Sequence, residues 1–471
     1  MVDQQNLVSP TTRLRSVMYQ QVLSQQQQYF SSGITKNLSW RKQQLKQLQL
    51  LLTTHEAELL QALQQDLAKP AFEALLSEIN YLHTDIKHCL KKLKSWARPR
   101  RVSTGLRTFP SMAFIQPEPY GSVLIISAWN YPLQLALAPL VAVLSAGNCA
   151  VVKPSELAPA TSAIIARLLP MYLDKEAVVI VEGGVTETTE LLKLPFDHIM
   201  YTGNGQVGKI VLRAAAEHLT PVTLELGGKS PVYVDSSADL KLTAQRIAWG
   251  KWLNAGQTCI APDYILAHKD ITEPLLQEIH AQLLQMYGSD PKLSPDYGRI
   301  INQRHLQRVQ SYLDGIEVYC GGAVDIDQLY FSPTLVLDPP LNSSLMTEEI
   351  FGPVLPVLTV SGFDAAVRFV QQRDKPLSAY LFSNNSSQQQ QWVERISSGS
   401  QCINDVLMFM AVSELPFGGV GPSGMGQYSG KAGFEQFSHL KSVLKRPLWP
   451  ELPVRFAPYA SWKAKVLSWL S

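Results

Sequence analysis

The chain has 471 residues, enough for two or three domains around separate cores. Hydrophobic residues make up 46% and charged residues 17%, which excludes a disordered chain. The 41 basic and 39 acidic residues leave a net charge of +2 with no basic stripe, which argues against a nucleic-acid surface.

From the N-terminus, residues 1–5 are polar and no apolar run follows, so no secretory signal is expected. The Gln-rich patch at 25–28 reads as solvated helix surface. Residues 36–94 carry leucines and isoleucines at helical spacing (Leu38, Leu45, Leu48 and Leu52, then Leu75, Ile79, Leu82, Ile86, Leu90 and Leu93), interrupted by Pro70. From about 116 the pattern changes to short apolar runs at 123–126, 149–152, 178–181 and 198–201, alternating with helical segments. That spacing suits βαβ crossovers and predicts a parallel sheet covered by helices on both faces.

A second α/β block follows, with strands expected at 232–234, 264–266, 334–337 and 354–360 and helices at 240–253, 271–287 and 362–371. Gly227 and Gly228 form a plausible hinge between the blocks. Residues 417–426 are too glycine-rich for a regular element. The aromatic and basic tail at 462–470 reads either as packed on its own protein or a partner, or as weak contact with a membrane surface. No apolar run approaches the roughly 18 residues needed to span a bilayer.

Two features carry chemistry. TGNGQVG at 202–208 places GxGxxG between a strand and a helix, where free amides and the helix N-terminus suit a diphosphate; the alternative is a tight turn with no ligand. The nearest acid downstream is Glu225, which spacing alone assigns to the cofactor ribose. The five cysteines, Cys89, Cys149, Cys259, Cys320 and Cys402, are scattered, with neither a CxxC pair nor a Cys/His cluster. They suggest free thiols, a cytoplasmic setting and no metal. Only Cys259 lies in a small, polar segment, while Cys89, Cys149 and Cys402 read as core.

Seven short segments in order resemble the aldehyde dehydrogenase superfamily: AWNYP at 128–132, VKPSE at 152–156, LELGGKSP at 224–231, GQTC at 256–259, EEIFGP at 348–353, CIND at 402–405 and LPFGG at 415–419. The short N-terminal arm, the KPSE form and VRFAPY at 454–459 resemble its class 3, fatty-aldehyde-type branch. The resemblance implies a Rossmann-like NAD(P)-binding domain over 1–95 and 116–225 and a second α/β catalytic domain over 226–412. It further implies a small β bridging element over 96–115 and 413–446 that dimerises, with 447–471 as a tail.

It also implies roles. Cys259 is the nucleophile that forms a thiohemiacetal and then a thioester, Asn130 donates to the oxyanion, and Glu225 becomes the general base that activates water rather than a ribose ligand. Lys153 and Glu156 hold the adenosine ribose, Glu349 the nicotinamide ribose, and Phe351 and Trp129 pack beside the cofactor, with Thr202, Gly203, Gly205 and Gly208 forming the turn. Asn404 and Asp405 support the site, and Tyr131, Met408 and Phe409 are candidates for an apolar substrate tunnel. Either NAD or NADP is expected, with a medium- or long-chain, aromatic or isoprenoid aldehyde, an apocarotenal or retinal-type compound included. A CoA-acylating or phosphorylating relative, or a non-catalytic binding protein on the same fold, is the alternative. Two departures stand out: Gly205 replaces a usual threonine, and Tyr428-Ser429 replaces a common Tyr-His, which is expected to touch dimerisation rather than chemistry.

Overall fold

The computed structural model describes residues 10–105, 108–451 and 453–469. Four helical segments, Pro10–Ser31, Leu38–Thr54, Glu56–Leu67 and Asn80–Trp96, open the chain. The last follows a short helix, Ala71–Ala74, and a single π-helical turn, Leu75–Ile79. The expected helix over 36–94 is therefore divided. Its leucines at 45, 48, 52, 82 and 93 are all buried in the central core, as their spacing requires.

The strands, in chain order, are β1 (Arg100–Val102), β2 (Met112–Pro119), β3 (Ser122–Ile126), β4 (Cys149–Lys153), β5 (Val178–Ile180), β6 (His198–Thr202), β7 (Val222–Glu225), β8 (Pro231–Val234) and β9 (Tyr264–His268). They continue with β10 (Val324–Asp325), β11 (Tyr330–Phe331), β12 (Thr334–Leu337), β13 (Val354–Val360), β14 (Ser378–Phe382), β15 (Ser400–Ile403), β16 (Gly424–Met425) and β17 (Ser438–Lys445).

One six-stranded sheet has the order β16-β7-β6-β3-β4-β5, parallel except for β16. A second has the order β12-β13-β9-β8-β14-β15 and is parallel throughout. Strands β14 and β15 fall outside the strands expected from the sequence. Strand β14 is wholly buried, so it shows no polar alternation, and it lies beside a Gln-rich helix, Ser386–Arg395, that has little apolar pattern. β1, β2 and β17 form a separate antiparallel sheet. The segment 413–446 is shared between structures: Gly424–Met425 extends the first sheet and Ser438–Lys445 the antiparallel one.

In the first sheet the chain runs from β3 outward to β5 and then returns to β6 on the other side of β3. This order reversal opens a crevice at the carboxyl ends of β3 and β6. Glu225 ends β7, directly beside that crevice. The chain closes with helix Ser461–Trp469, on which Trp462 and Trp469 are exposed; Leu470 of the expected tail lies outside the described residues. No helix among the described residues is long and apolar enough to cross a membrane.

Candidate active site

The segment leading to Cys259 leaves the helix Leu240–Trp252 through three successive left-handed residues, Asn254 (φ 54°), Ala255 (φ 52°) and Gly256 (φ 76°). Such backbone costs a residue with a side chain about 1 kcal/mol or more, so the surroundings must impose it. They do so by hydrogen bonds. The Glu73 carboxylate accepts the Asn254 N–H at 3.0 Å, and the Asn254 amide donates to the carbonyls of Asn130 (2.8 Å) and Gln257 (3.2 Å). The Gln257 side chain donates to the Arg299 carbonyl at 2.9 Å and accepts the Ile301 N–H at 3.0 Å. At Gly256 a Cβ would stand 2.2 Å from the Gly352 carbonyl oxygen, so only glycine fits.

Asn130 is buried, and its side-chain nitrogen donates to the Gln257 carbonyl at 3.1 Å. An amide nitrogen carries two hydrogens, so one donor remains for a ligand. Beneath it lies a fully buried ion pair, Lys69 with Glu78. Lys69 also donates to the Asn130 carbonyl at 3.1 Å and sits 4.2 Å over the Tyr131 ring. The second Glu78 oxygen accepts the N–H groups of Leu133 (2.9 Å) and Gln134 (3.1 Å), at the start of helix Pro132–Ala146. The π turn carries Glu78 into this position.

Cys259 is half-buried, and Glu225 and Glu349 lie within electrostatic reach of its sulfur. Burial, then these two carboxyl groups, push the thiol well above its ordinary range, while the N–H groups of Cys259 and Ile260 pull it down. Glu225 is 3% exposed and neither carboxyl oxygen has a hydrogen-bond partner. Burial alone raises it well above the carboxylate range, as expected for a site built to handle a proton.

A nicotinamide dinucleotide fits the residues present. Thr202 has a buried hydroxyl without a partner at the end of β6, and Glu349 likewise has one unpartnered oxygen. Burial pushes Glu349 up to about 8. A Cβ on Gly227 would come within 1.9 Å of the Glu349 carboxyl, so that glycine is what admits the side chain. The Arg308 guanidinium donates to the carbonyls of Glu349 (3.3 Å), Ile350 (2.9 Å) and Phe351 (3.4 Å), which holds the turn; Phe351 itself has left-handed backbone (φ 47°). Trp129 packs edge-on to Phe351 with ring centroids 5.4 Å apart and lies against His305 at 4.9 Å.

At the phosphate end, Gly203 follows β6 and Gly205 opens the helix Gly205–Ala216, which has no acid in its first turn. Nothing lies within 4 Å of a Cβ built on Gly205, whereas one on Gly208 would meet Leu226 at 2.9 Å. Gly208 thus serves close helix packing and Gly205 leaves open space. Lys153 is buried at the end of β4 and pairs with the more exposed Glu156. Among the described residues no group of three or more His, Cys, Asp and Glu side chains could hold a metal.

Of the supporting residues, the Asn404 side chain accepts the Ser383 N–H at 2.8 Å and has left-handed backbone (φ 59°). Phe409 is buried and stacks between Tyr380 and Phe417, while Met408 is exposed. Lys69, Glu73, Glu78, Asn254, Gln257 and Arg308 went unnoticed in the sequence. Most of their partners lie tens of residues away, and only the repeated polar residues of the GQTC segment hinted at a held loop. Tyr428 requires correction. Expected near the dimerisation segment, it is 1% exposed and lies within electrostatic reach of Glu225 and Cys259, because β16 folds back antiparallel onto β7.

Comparison with known proteins gives the chain's relatives and its fold. The family model described as "Aldehyde dehydrogenase family" matches residues 11–443. The dimeric, NADP-preferring aldehyde dehydrogenase of Canis lupus familiaris is 46% identical over 431 residues, 91% of this chain and 95% of that protein. The 4,4'-diaponeurosporen-aldehyde dehydrogenase of Staphylococcus aureus is 45% identical over 433 residues, covering 92% and 94%. The solved substrate-bound Staphylococcus aureus AldH superposes with a TM-score of 0.93 at 43% identity, covering 96% of this chain and 99% of that one.

Proposed function

The chain belongs to the aldehyde dehydrogenase family, and from that premise we propose that Cys259, Asn130 and Glu225 carry its NAD(P)-dependent oxidation of aldehydes to acids. The observation that carries the assignment is the meeting of a rigidly presented thiol with a buried carboxyl group that has no other partner. The Cys259 sulfur adds to the aldehyde carbon, and the free Asn130 N–H stabilises the oxygen as it gains charge, a contribution of about 3 kcal/mol in related acyl chemistry. The bound cofactor supplies the hydride acceptor and a positive charge that offsets the carboxyl groups around the thiol. Glu225, as carboxylate, then takes a proton from the water that attacks the thioester; as the C–S bond breaks the proton passes to the departing Cys259 sulfur, which releases the acid and restores the thiol.

Thr202, Gly203, Gly205 and Gly208 line the diphosphate side. Lys153 and Glu156 hold the adenosine ribose, Glu349 the other ribose, and Trp129 and Phe351 the ring. The substrate proposed is a medium- or long-chain, aromatic or isoprenoid aldehyde, consistent with the relative whose name specifies a diaponeurosporen aldehyde. The domain division stated from the sequence is proposed with it, as is a homodimer. In support, β17 has an unpaired edge in its sheet, and one relative is named as dimeric. A cytoplasmic location is proposed, with the exposed Trp462 and Trp469 of the tail contacting a membrane surface weakly.

The test is NAD(P)H formation with decanal, benzaldehyde and retinal. Cys259→Ala should lose more than about a thousandfold and Glu225→Gln about a hundredfold. Because burial raises Glu225, its base form grows as pH rises, so the hydrolytic rate of the parent should climb with pH and that of Glu225→Gln should not. Undiminished activity in Cys259→Ala overturns the mechanism. A rate that requires CoA or phosphate overturns water as the acceptor.

A further inference from the structure

Glu349 sits on a turn whose main chain is gripped by an ion pair from the second sheet. Lys229 lies two residues before β8 and Asp263 directly precedes β9, the neighbouring parallel strand, with Pro231 opposite Tyr264. The Asp263 N–H donates to the Ser230 carbonyl at 2.9 Å, which keeps the two side chains together. They form a largely buried ion pair of 2.7 Å. The Lys229 ammonium also donates to the Leu345 carbonyl at 2.7 Å and to the Glu348 carbonyl at 3.0 Å. Asp263 accepts the Ile350 N–H at 3.1 Å. The pair thus fixes the main chain immediately before and immediately after Glu349.

Stability alone does not account for this arrangement. Taking two charges out of water is costly, and apolar side chains of the same volume often hold a fold as well. An apolar pair, however, has no donor for the Glu348 carbonyl and no acceptor for the Ile350 N–H. The residue between those two groups is Glu349, and one of its carboxyl oxygens is buried without a partner. Gly227, two residues before Lys229, is the glycine that leaves room for that carboxyl. One short segment, 227–229, therefore supplies both the space for the Glu349 side chain and an anchor for its backbone. An ammonium carries three hydrogens, and all three of Lys229 are engaged by Asp263, Leu345 and Glu348. Lys229 has no donor left for a ligand of its own.

We propose that the Lys229–Asp263 pair is the positioning device for Glu349, presenting its carboxylate to the nicotinamide ribose. The inference rests on the reading of Glu349 as the ligand of that ribose. Both residues act through Glu349 and are positioning residues, not catalytic ones. With the turn fixed at both flanks, its conformation is settled when the chain folds, and binding does not have to order it. Lys251, fully buried on the helix Leu240–Trp252, lies within electrostatic reach of Asp263 and Glu349. It leaves a cation near Asp263 when Lys229 is replaced, so Lys229→Met should still fold.

The experiment titrates the full-length parent, Lys229→Met, Asp263→Asn, the double variant and Glu349→Ala with NAD+ and with NADP+ by calorimetry. The same proteins are assayed for hydrolysis of p-nitrophenyl acetate without cofactor, a reaction that needs the Cys259 thiol but no ribose ligand. Lys229→Met should weaken both cofactors about tenfold and equally, since they share the nicotinamide ribose. The isosteric Asp263→Asn should weaken them about fivefold. The double variant should be no worse than Lys229→Met, because the two residues form one unit. Ester hydrolysis by these three should stay within about twofold of the parent, which a general loosening of the site would not allow. Parent-like cofactor binding by Asp263→Asn and by any Lys229→Met that folds overturns the proposal, as does ester hydrolysis that falls in step with binding. If Glu349→Ala loses cofactor affinity and the pair variants do not, only the positioning role fails. If Glu349→Ala binds both cofactors as the parent does, the reading of Glu349 as ribose ligand fails first.

Discussion

The two ends of the active site are built on opposite plans. The loop that presents Cys259 spends its polar groups on itself: Asn254, Gln257, Lys69 and Glu78 all have partners, and three left-handed residues are held by them, while only the reacting Glu225 and one Asn130 N–H are left free. Around the turn after β6, polar groups are left unspent. The Thr202 hydroxyl has no partner, one oxygen of Glu349 has none, and the space over Gly205 is empty. A nucleophile must be in place before its substrate arrives, because misplacement of an angstrom loses rate steeply. A cofactor cradle completes its hydrogen bonds only when filled, so its unmatched groups contribute to binding.

That contrast can be broken by substitution. The largest effect is expected at Lys69→Met, which strands the Glu78 carboxylate in the core and should cost about 3–5 kcal/mol. Calorimetry should show a clear loss of Tm. Activity should fall in the same variant, because the Asn130 carbonyl loses a donor, and an unchanged Tm would mean the thiol end is not prestressed in this way.

An intermediate effect is expected at Glu156→Gln on the cofactor side. Removing the carboxylate while keeping Lys153 should shift the ratio of kcat/KM toward NADP by roughly tenfold, equivalent to about 1.4 kcal/mol, with little change in Tm. Comparison of both cofactors at saturating aldehyde checks it, and a preference that does not move would remove Glu156 from the ribose site.

The smallest is Gly205→Thr. Gly205 does not use left-handed backbone and its surroundings are open, so a side chain should stabilise by a few tenths to about 1 kcal/mol through the unfolded chain. The cofactor KM should change less than about threefold, under 1 kcal/mol. A large KM increase would show that the open space is already as narrow as the diphosphate requires.

The same division explains what could be read without coordinates. Apolar runs such as 123–126 and 149–152 became adjacent parallel strands because a continuous buried run has one economical place in an α/β sheet. The glycines at 203, 205 and 208 were legible because a turn between strand and helix is a local event. By contrast, β14 and β15 were missed, having neither alternation nor a strongly patterned helix beside them. Tyr428 was misplaced because its neighbour in space, Glu225, is two hundred residues away in the chain.

By itself the sequence determined the elements with a clear period or apolar run, the glycine turn and, through the order of seven motifs, the family and its cysteine chemistry. Those depend on local periodicity and residue type, which the linear chain carries in full. The tertiary structure decided everything that depends on burial: that Glu225 has no partner, that Lys69 and Glu78 brace Asn130, and that Tyr428 lies within electrostatic reach of the base. Burial and partnership arise only when distant segments close around one another, and these quantities set where a carboxyl group holds its proton.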